Sequence, residues 1–357
     1  MKVLVAMSGG VDSSVAAALL LDDGHEVTGV TMKLWGGASD NGCCAISDTD
    51  DARRVARQLG IDHHVFNFGE QFDEHVVKPY VEAHAAGRTP NPCIECNRHL
   101  KFDKLLRRAD ALGFEMVATG HHARIVVGPS GATRLARGAD AAKDQSYVLH
   151  MLDSVQRSRV VFPVGSLTKY EVRRLAVERG LDTADKPDSQ DVCFITSTQG
   201  RARFLAERVE LHSADVVDAG GRRVGQVDHV ETVTIGQRKG LGLGGGDDRR
   251  YVVSVDVAGR RVTVGGPDEL LAARQPVDDL VWIGDRVDGI VEVQTSAHGR
   301  TSQATVESNA SVESAAEIVW ISPTRRVAPG QAIVLYERDV VVGSGTASAG
   351  GSFTAVS

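Results

Sequence analysis

The stretch MSGGVDSS (residues 7–14) joins a predicted apolar strand, Lys2–Met7, to a predicted helix, Val11–Asp23. A turn of small residues in this place lets backbone N–H groups approach a phosphate, and the helix N-terminus adds partial positive charge. Asp12 adds an oxygen ligand suited to Mg²⁺. The stretch lacks the lysine of a Walker A loop and the pattern of a GxSxG elbow. The alternative interpretation is an ordinary strand–helix turn.

Strand and helix patterns alternate outward from this loop. Further predicted strands are Glu26–Met32, His63–Phe68 and Glu115–Thr119. Further predicted helices are Thr49–Leu59, Phe72–Ala86, Arg98–Leu112 and one that opens with the capping box Thr168–Glu171 and closes at Gly180. Such alternation predicts an α/β fold with a parallel sheet covered by helices on both faces.

The pattern changes after about residue 210 to short β-branched segments, which predict small antiparallel β units. These segments are Val230–Ile235, Tyr251–Val257, Arg261–Val264, Val277–Ile283, Asp288–Val293 and Ala332–Tyr336. Residues 244–246 and 343–351 are glycine-rich and predict loops, and residues 267–276 predict a boundary. We therefore expect a catalytic domain at 1–205, a central β domain at 206–270 and a C-terminal β-barrel at 271–357.

Composition limits the class of protein. A chain of 357 residues predicts two or three domains, and five cysteines are an odd number that does not suit a secreted disulfide framework. No apolar run is long enough to cross a bilayer and the opening MKVLVAM is not a signal peptide, so we expect a cytoplasmic location without a membrane partner. The net charge of −7 argues mildly against nucleic acid, although a local basic face can coexist with it.

Two segments hold cysteines in suggestive contexts. GRTPNPCIECN (residues 87–97) contains a CxxC pair, Cys93 and Cys96, which suits a metal, a redox disulfide or a reactive sulfur. PDSQDVCFI (residues 187–195) contains Cys193, for which the alternative is a buried strand cysteine. Structural zinc is the weaker interpretation, because Cys43 and Cys44 are adjacent and no second CxxC occurs.

Six motifs occur in order along the chain and together resemble one family. They are SGGVDSS, GRTPNPCIECN, TGHHAR, KDQSYVL, DSQDVCFI and IGQRKGLG. The set is similar to that of the tRNA-specific 2-thiouridylases, enzymes of the PP-loop ATP pyrophosphatase superfamily that thiolate the wobble uridine (position 34) of certain tRNAs. The resemblance covers the whole chain and is dense through about residue 265.

The resemblance implies a reaction and two catalytic residues. ATP would adenylate the uracil O2, and sulfur from a persulfide on Cys193 would replace that oxygen, with release of AMP and pyrophosphate. Cys96 matches the catalytic nucleophile of the family, and a Cys96–Cys193 disulfide would remain for reduction. Implied cofactors are ATP and Mg²⁺, the latter on Asp12. Implied partners are a tRNA with a wobble uridine and a persulfide donor, either a cysteine desulfurase or a sulfur-relay protein.

The resemblance also implies binding residues. Those matching ATP contacts are Ala6, Met7, Ser8, Gly9, Gly10, Val11, Asp12, Ser13, Met32 and Gly120. Those matching tRNA or target-base contacts are Asn91, Pro92, Cys93, His121, Lys143, Asp144, Gln145 and Gln331. A further tRNA contact of the family would fall at Ser296 and Ala297, where this chain departs from the pattern.

Other interpretations of these residues stay open. His121 and Met32 could be ordinary core residues, and residues 143–145 could form a solvated turn. The basic face formed by Arg98, Lys101, Lys104, Arg107 and Arg108 suits RNA phosphates but also an ordinary solvated helix.

Two other functions, and one variant of the thiolation chemistry, remain possible at this point. A PP-loop ligase or amidotransferase that adds nitrogen would have no use for Cys96 and Cys193, so thiol reactivity separates it from a thiouridylase. A metal-stabilised RNA-binding module would bind zinc and would not turn over ATP. Alternatively, Cys93, Cys96 and Cys193 could hold a [4Fe-4S] cluster with one open iron position for sulfide.

Overall fold

The computed structural model describes residues 1–34, 46–128, 130–188, 192–195, 200–243, 249–308 and 316–348. The chain divides into two compact units. The first comprises Met1–Val77, Pro92–Thr196 and Asp339–Val341, and the second comprises Lys78–Asn91, Ser197–Arg338 and Val342–Ser357.

A five-stranded parallel sheet forms the centre of the first unit. Its strands are β1 (Lys2–Ala6), β2 (Glu26–Lys33), β3 (His63–Asn67), β4 (Met116–Thr119) and β7 (Val160–Val161), in the order β3-β2-β1-β4-β7. A hairpin, β5 (Ala123–Val127) and β6 (Thr133–Arg137), follows β4 in the chain. The predicted parallel α/β sheet is confirmed.

Helices surround this sheet. They are α1 (Val11–Asp22), α2 (Ile46–Leu59), α3 (Gly69–Phe72), α5 (Pro92–Glu95), α6 (Leu105–Ala111), α7 (Ser146–Leu149), α8 (Ser154–Arg159) and α9 (Lys169–Glu178). Thr168 caps α9 and Glu171 completes the predicted capping box, which satisfies backbone N–H groups that the first turn leaves unpaired. Gly24 and Gly180 adopt positive φ just after α1 and α9, as helix stop signals require.

The strand order fixes where a ligand can bind. The chain runs from β1 outward through β2 to β3, then returns to the other side of β1 with β4 and β7. In an open parallel sheet, the crevice lies at the carboxyl ends of the two strands where the direction reverses. Those strands are β1 and β4. The loop after β1 (residues 7–14, named the phosphate loop for its predicted role) and the TGHHAR motif at the end of β4 therefore meet at this edge.

The core of the first unit lies between the sheet and its helices. Val3 and Val5 of β1, Val15 of α1, Val55 of α2 and Val172 of α9 are all fully buried in one cluster. Burial of a branched aliphatic side chain contributes about 1.5–3 kcal/mol, so this cluster holds the elements around the phosphate loop in place.

The second unit contains helices α4 (Lys78–Ala85) and α10 (Gly200–Ala206) and two β structures. The first is a four-stranded sheet of β8 (Ala214–Val217), β9 (Arg223–Val227), β10 (Tyr251–Asp256) and β11 (Arg261–Gly265). The second is a six-stranded barrel of β12 (Leu271–Trp282), β13 (Val291–Gln294), β14 (Ser302–Ser308), β15 (Ala316–Arg325), β16 (Ala332–Glu337) and β17 (Val340–Ala347). Pairing of β12 with β17 closes the barrel, which confirms the predicted C-terminal barrel.

Two predicted elements of the second unit are wrong. The predicted strand Val230–Ile235 begins instead with a 3₁₀ turn, Val230–Thr232, because the buried Glu231 turns inward and its carboxylate accepts from His212. The predicted loop at 343–351 begins inside β17, where a Cβ on Gly345 would lie 2.5 Å from Val277 Cγ1. Glycine is present there because the barrel strands pass closely, not because the chain turns.

Two predicted helices contain π-helical segments. The predicted helix Phe72–Ala86 is π-helical over Asp73–Val77, and the predicted helix Arg98–Leu112 is π-helical over Cys96–Lys104 before α6 begins. Cys43, Cys44 and residues 244–246 lie outside the described residues. Every described helix is too short or too polar to cross a lipid bilayer.

Candidate active site at the phosphate loop

Local hydrogen bonds fix the turn of the phosphate loop. The Ser13 and Ser14 hydroxyls donate to the Gly10 carbonyl at 3.1 and 2.9 Å, and the Ser8 N–H donates to Ser13 Oγ at 3.2 Å. Gly9 has φ +72°, and a Cβ on it would lie 2.2 Å from the Asp48 carbonyl oxygen. Glycine is therefore required here both by the backbone conformation and by the space.

Asp12 is the most heavily engaged residue of the loop. The Lys169 ammonium donates to both Asp12 carboxylate oxygens at 2.7 Å, and His122 Nε2 lies 3.1 Å from Oδ1. Burial raises the pKa of Asp12, but the hydrogen bonds from His122 and Lys169 outweigh burial and leave the pKa below its ordinary value. Asp12 is therefore ionised at neutral pH. Because it is partly buried, water screens its negative charge less than that of an exposed carboxylate.

Lys169 connects Asp12 to a second carboxylate. Its ammonium lies 2.9 Å from Asp188 Oδ1, and Asp188 also pairs with Lys143 and Arg173, each at 2.8 Å. Burial raises the pKa of Asp188, but hydrogen bonds from Lys143 and Lys169 outweigh it and hold the pKa well below the ordinary value. The site is thus a chain of alternating charges that runs from the phosphate loop to the segment before Cys193.

Gln145 and Asp140 hold the two side-chain partners of Asp12, His122 and Lys169, in place. Gln145 Oε1 accepts from the His122 N–H at 2.9 Å, and the Gln145 N–H donates to the His122 carbonyl at 2.9 Å. Asp140 accepts from the backbone N–H of Lys169 at 2.9 Å. These contacts fix the backbone from which both side chains reach Asp12.

The three described cysteines differ in their local backbone structure and exposure. Cys93 is partly exposed in α5, Cys96 is buried at the start of the π-helical segment, and all three, including Cys193, are thiols in this structure. Val192 before Cys193 has φ +56°, an unfavourable conformation for a β-branched residue. Phe194 after it is buried with its ring edge-on to Phe72, at a centroid distance of 5.6 Å.

Comparison with known proteins identifies the family. Residues 1–197 match the family model described as a tRNA methyl transferase HUP domain, 202–266 its PRC-barrel domain and 275–347 an aminomethyltransferase beta-barrel domain. A protein of Chloroflexus aurantiacus named tRNA-specific 2-thiouridylase MnmA is 46% identical over 352 residues, covering 96% of this chain and 97% of its own. The chain belongs to the tRNA-specific 2-thiouridylase family.

Two further relatives carry the same name. The 2-thiouridylase of Sorangium cellulosum is 46% identical, covering 96% of this chain and 91% of its own, and that of Acidothermus cellulolyticus is 46% identical, covering 97% of each. The predicted family is confirmed, and the chain is a sulfurtransferase that acts on tRNA uridine. Although the matched family model carries methyl transferase in its description, these full-length relatives are named for thiolation.

The structure separates the two histidines of this thiouridylase motif, TGHHAR. His121, the residue singled out from the sequence, is buried between Phe102 and Phe162, and its Nδ1 lies 2.6 Å from Thr119 Oγ1. Burial, with smaller contributions from Lys101 and His122, lowers the pKa of His121 far below its ordinary value, so the ring is neutral. The histidine that reaches Asp12 is the next one, His122.

Lys169 and Asp188 are the other site residues that sequence reasoning missed. In the sequence, Lys169 stands out only as part of a helix-capping box, although a lysine at a helix start is itself unusual, because its charge opposes the helix dipole. Asp188 belonged to the DSQDVCFI motif, but only its cysteine received a role. In each case the local pattern carried a signal, and only the fold shows the partner.

The other predicted site residues are placed as follows. Ala6, Met7, Val11 and Met32 are buried, and Gly120 lies against the first turn of α1. Asp144 accepts from Arg137, the Gly138 N–H and Ser146, so it organises a turn in the first unit. In the second unit, Gln331 donates to the Thr89 carbonyl at 2.7 Å, two residues before Asn91. Pro92 is buried at the start of α5.

Proposed function

We propose that this enzyme uses ATP to activate the C2 oxygen of the wobble uridine, position 34, and replaces it with sulfur from a persulfide on Cys193. The single observation that carries the proposal is the Asp12–Lys169–Asp188 chain. It joins a phosphate-type loop without a Walker lysine to the segment that precedes a partly exposed cysteine. ATP binding, tRNA as substrate and thiolation as outcome agree with the family.

The activation step follows from the charges at the loop. The uracil O2 attacks the α phosphorus of ATP, the bond to the β phosphate breaks, and pyrophosphate leaves. Backbone N–H groups of the turn and the N-terminus of α1 stabilise the growing negative charge. Lys169 supplies a cation at the same edge of the sheet, so the loop itself does not need the lysine of a Walker A loop.

Asp12 can accept a magnesium ion, but only with a rearrangement. Both of its oxygens already accept from Lys169, so an ion ligated by Asp12 would take the place of the ammonium on at least one oxygen. Mg²⁺ is commonly held by one or two carboxylates together with substrate phosphates, so one carboxylate suffices. Bound there with ATP, Mg²⁺ would neutralise charge on the leaving pyrophosphate.

His122 offers the nucleotide a further contact. Its side chain is almost fully buried, and its Nδ1 meets no hydrogen-bond partner among the described residues. An unsatisfied buried nitrogen costs about 1–3 kcal/mol, so a ligand that hydrogen-bonds to it would gain affinity.

The sulfur step uses both catalytic cysteines. The terminal sulfur of the Cys193 persulfide attacks C2, AMP leaves with the oxygen, and a C2–S–S–Cys193 linkage forms. The Cys96 thiolate then attacks the Cys193 sulfur, which frees 2-thiouridine and leaves a Cys96–Cys193 disulfide. Alternatively, Cys96 first releases the sulfur as hydrosulfide, which attacks C2. A dithiol reductant and a persulfide donor, a cysteine desulfurase or a sulfur-relay protein, restore the enzyme.

An iron–sulfur cluster fits this chain poorly. Within the described residues, no three His, Cys, Asp or Glu side chains are grouped to hold a metal, so Cys93, Cys96 and Cys193 do not form a ligand set. The proposed reaction therefore has no step through a cluster.

The experiment combines enzyme, ATP, Mg²⁺, a persulfide donor and an unmodified tRNA with a wobble uridine. We expect 2-thiouridine and AMP in equal amounts, and we expect Asp12→Ala to abolish both while circular dichroism stays unchanged. Formation of ADP and phosphate would contradict the activation step. Full ATP turnover to AMP by a variant lacking both Cys96 and Cys193 would favour the nitrogen-adding alternative.

A further inference from the structure

Asp12 and Asp188 meet at one point, which the ammonium of Lys169 occupies. Both carboxylate oxygens of Asp12 lie 2.7 Å from Lys169 Nζ, and Asp188 Oδ1 lies 2.9 Å from it. Only 12% of the Lys169 side chain is exposed, so little water reaches this point. Three carboxylate oxygens, from two side chains that are far apart in the sequence, thus surround a single cation.

This arrangement of oxygens also suits a divalent metal ion. Mg²⁺ takes oxygen ligands at about 2.0–2.1 Å and is commonly held by one or two carboxylates together with substrate phosphates. For an ion at the position of the ammonium, the oxygens of Asp12 and Asp188 would have to move inward by only about 0.6–0.8 Å. The buried His122 beside Asp12 has an Nδ1 without a hydrogen-bond partner among the described residues, which independently indicates a ligand at this place.

The balance of charges explains why the ammonium stays there without a nucleotide. Two further cations, Lys143 and Arg173, pair with Asp188, and a third carboxylate, Asp140, accepts from the Lys169 backbone N–H. Together with the carboxylate of the phosphate loop, these groups make three anions and three cations. A divalent ion therefore gains little from this group until nucleotide phosphates add negative charge.

We propose that Asp12 and Asp188 form a two-carboxylate site for a divalent metal ion, and that the ammonium of Lys169 fills this site until a nucleotide binds. The proposal rests on the proposed function in one respect, because it takes ATP as the ligand of the phosphate loop. Phosphate oxygens give the Lys169 ammonium a new set of acceptors, and its departure leaves both carboxylates open to the ion. The enzyme therefore takes up metal together with ATP and holds none at this site without ATP.

Mn²⁺ binding in the absence of nucleotide tests the site directly. Mn²⁺ takes the same kind of oxygen ligands, and electron paramagnetic resonance measures the concentration of the free ion. We expect the intact wild-type enzyme to bind Mn²⁺ only weakly. Lys169→Met should bind one Mn²⁺ per chain about tenfold or more tightly than the wild type, because the ion no longer has to displace hydrogen bonds between charged groups.

Further variants assign the ligands. Addition of Asp188→Asn to Lys169→Met should remove the gained Mn²⁺ binding, because one of the two carboxylates becomes an amide. Lys143→Met is the matched control: it also removes one cation from Asp188 but leaves the Lys169 ammonium in place, so its Mn²⁺ affinity should equal that of the wild type. Circular dichroism follows folding, and Lys169→Gln supplies a second uncharged side chain if Lys169→Met does not fold.

Nucleotide should open the same site in the wild type. The analogue α,β-methylene-ATP is used because its α–β bridge is not cleaved, and water-proton relaxation distinguishes Mn²⁺ bound in the protein from Mn²⁺ on the free analogue. With the analogue, we expect the wild type to bind Mn²⁺ tightly. Asp188→Asn should bind it about tenfold or more weakly, because it lacks one ligand.

The outcomes separate this proposal from the proposed reaction. Equal nucleotide-free Mn²⁺ affinity of Lys169→Met and the wild type, an equal gain in Lys143→Met, or binding that survives Asp188→Asn would overturn the metal site. Binding of the analogue by the wild type without added Mn²⁺ uptake would overturn the exchange with Lys169. If the wild type does not bind the analogue in calorimetry, the proposed ATP reaction fails, and the nucleotide-free measurements still decide whether Lys169 fills a metal site.

Discussion

Gly120 lies so close to Ser13 that a Cβ built on Gly120 would stand 2.5 Å from the Ser13 amide nitrogen. Ser13 is in the first turn of α1, and Gly120 directly follows β4, so this approach joins the two sides of the crevice. The same backbone leads to His122 two residues later, which contacts Asp12. Because glycine has no side chain, α1 and the end of β4 can come close enough for His122 to reach Asp12.

We expect Gly120→Ala to weaken ATP binding by about tenfold or more, because small displacements in a site of this kind are costly. The new methyl group must push the end of β4 away from α1, which separates His122 from Asp12. Calorimetric titration with α,β-methylene-ATP, an ATP analogue whose α–β bridge is not cleaved, measures the change in nucleotide affinity.

Gly266→Ala is the matched control for this change. The nearest atom to its new Cβ is Glu269 Oε2 at 3.6 Å, an ordinary van der Waals distance. It should bind the analogue as the wild type does. Equal affinity for Gly120→Ala and the wild type would show that the crevice tolerates the displacement.

Substitution of single cysteines should divide them by role. We expect Cys96→Ser and Cys193→Ser to abolish 2-thiouridine formation while still binding ATP, and Cys93→Ser to retain most activity. A serine hydroxyl can neither carry a persulfide nor close a disulfide. Mass spectrometry of nucleosides from digested tRNA measures the product.

Two results would change this interpretation. Full activity of Cys193→Ser would exclude a sulfur relay through that residue. Severe reduction of activity in Cys93→Ser, with unfolding curves like those of the wild type, would revive the iron–sulfur alternative.

The features predicted correctly from the sequence are those fixed by local chemistry. The turn between β1 and α1, the capping box at Thr168 and the strand–helix alternation each depend on residues close together in the chain, so their patterns can be read directly. The antiparallel β structure after about residue 210 was predictable from repeated short β-branched segments. Family motifs added the reaction class.

The features missed depend on distant partners. Lys169 and Asp12 are 157 positions apart, and no local pattern shows that an ammonium at the start of α9 meets the phosphate loop. His121 and His122 look equivalent in sequence, and only the packing around β4 shows which one faces the core. Gly345 satisfied the rule for a loop, but the closeness of Val277 explains it.

Binding of tRNA through the basic residues of the Cys96–Ala111 region should depend on salt. We expect a Lys101/Lys104/Arg108→Ala variant to lower the salt slope of tRNA affinity by about 0.7–0.9 for each RNA phosphate that the variant no longer neutralises. Arg107 is omitted because it already pairs with Asp103 at 2.6 Å. Affinity measured at several salt concentrations tests this.

The matched control removes the same charge elsewhere in the first unit. An Arg53/Arg54/Arg57→Ala variant of α2 changes the net charge by the same amount, and two of those arginines are paired within their helix to Asp50 and Asp51. Its slope should stay near that of the wild type. An unchanged slope for the Lys101 variant would remove this helical region from the binding surface.

Buried histidines should make the enzyme lose stability as the pH falls below about 6.5, the ordinary pKa of histidine. Burial, with a smaller contribution from Arg98, lowers the pKa of His150 to about 3, and neither of its ring nitrogens meets a hydrogen-bond partner among the described residues. Burial, with the charge of Arg201, lowers that of His84 to about 4. Unfolded histidines take up a proton near pH 6.5, whereas the folded ones do so only at these lower values. The unfolded state therefore gains protons first, and stability decreases between these pH values.

We expect His150→Leu to reduce this pH dependence. Each such histidine contributes up to about 1.4 kcal/mol per pH unit to the slope, so urea unfolding at pH 6.0, 5.2 and 4.5 should give a slope smaller by up to that amount. Asp12 and Asp188, whose pKa values are lowered, lose their contribution only below about pH 3.9, outside this range. A His150→Leu slope equal to that of the wild type would mean that His150 takes up its proton in the folded state as readily as in the unfolded chain.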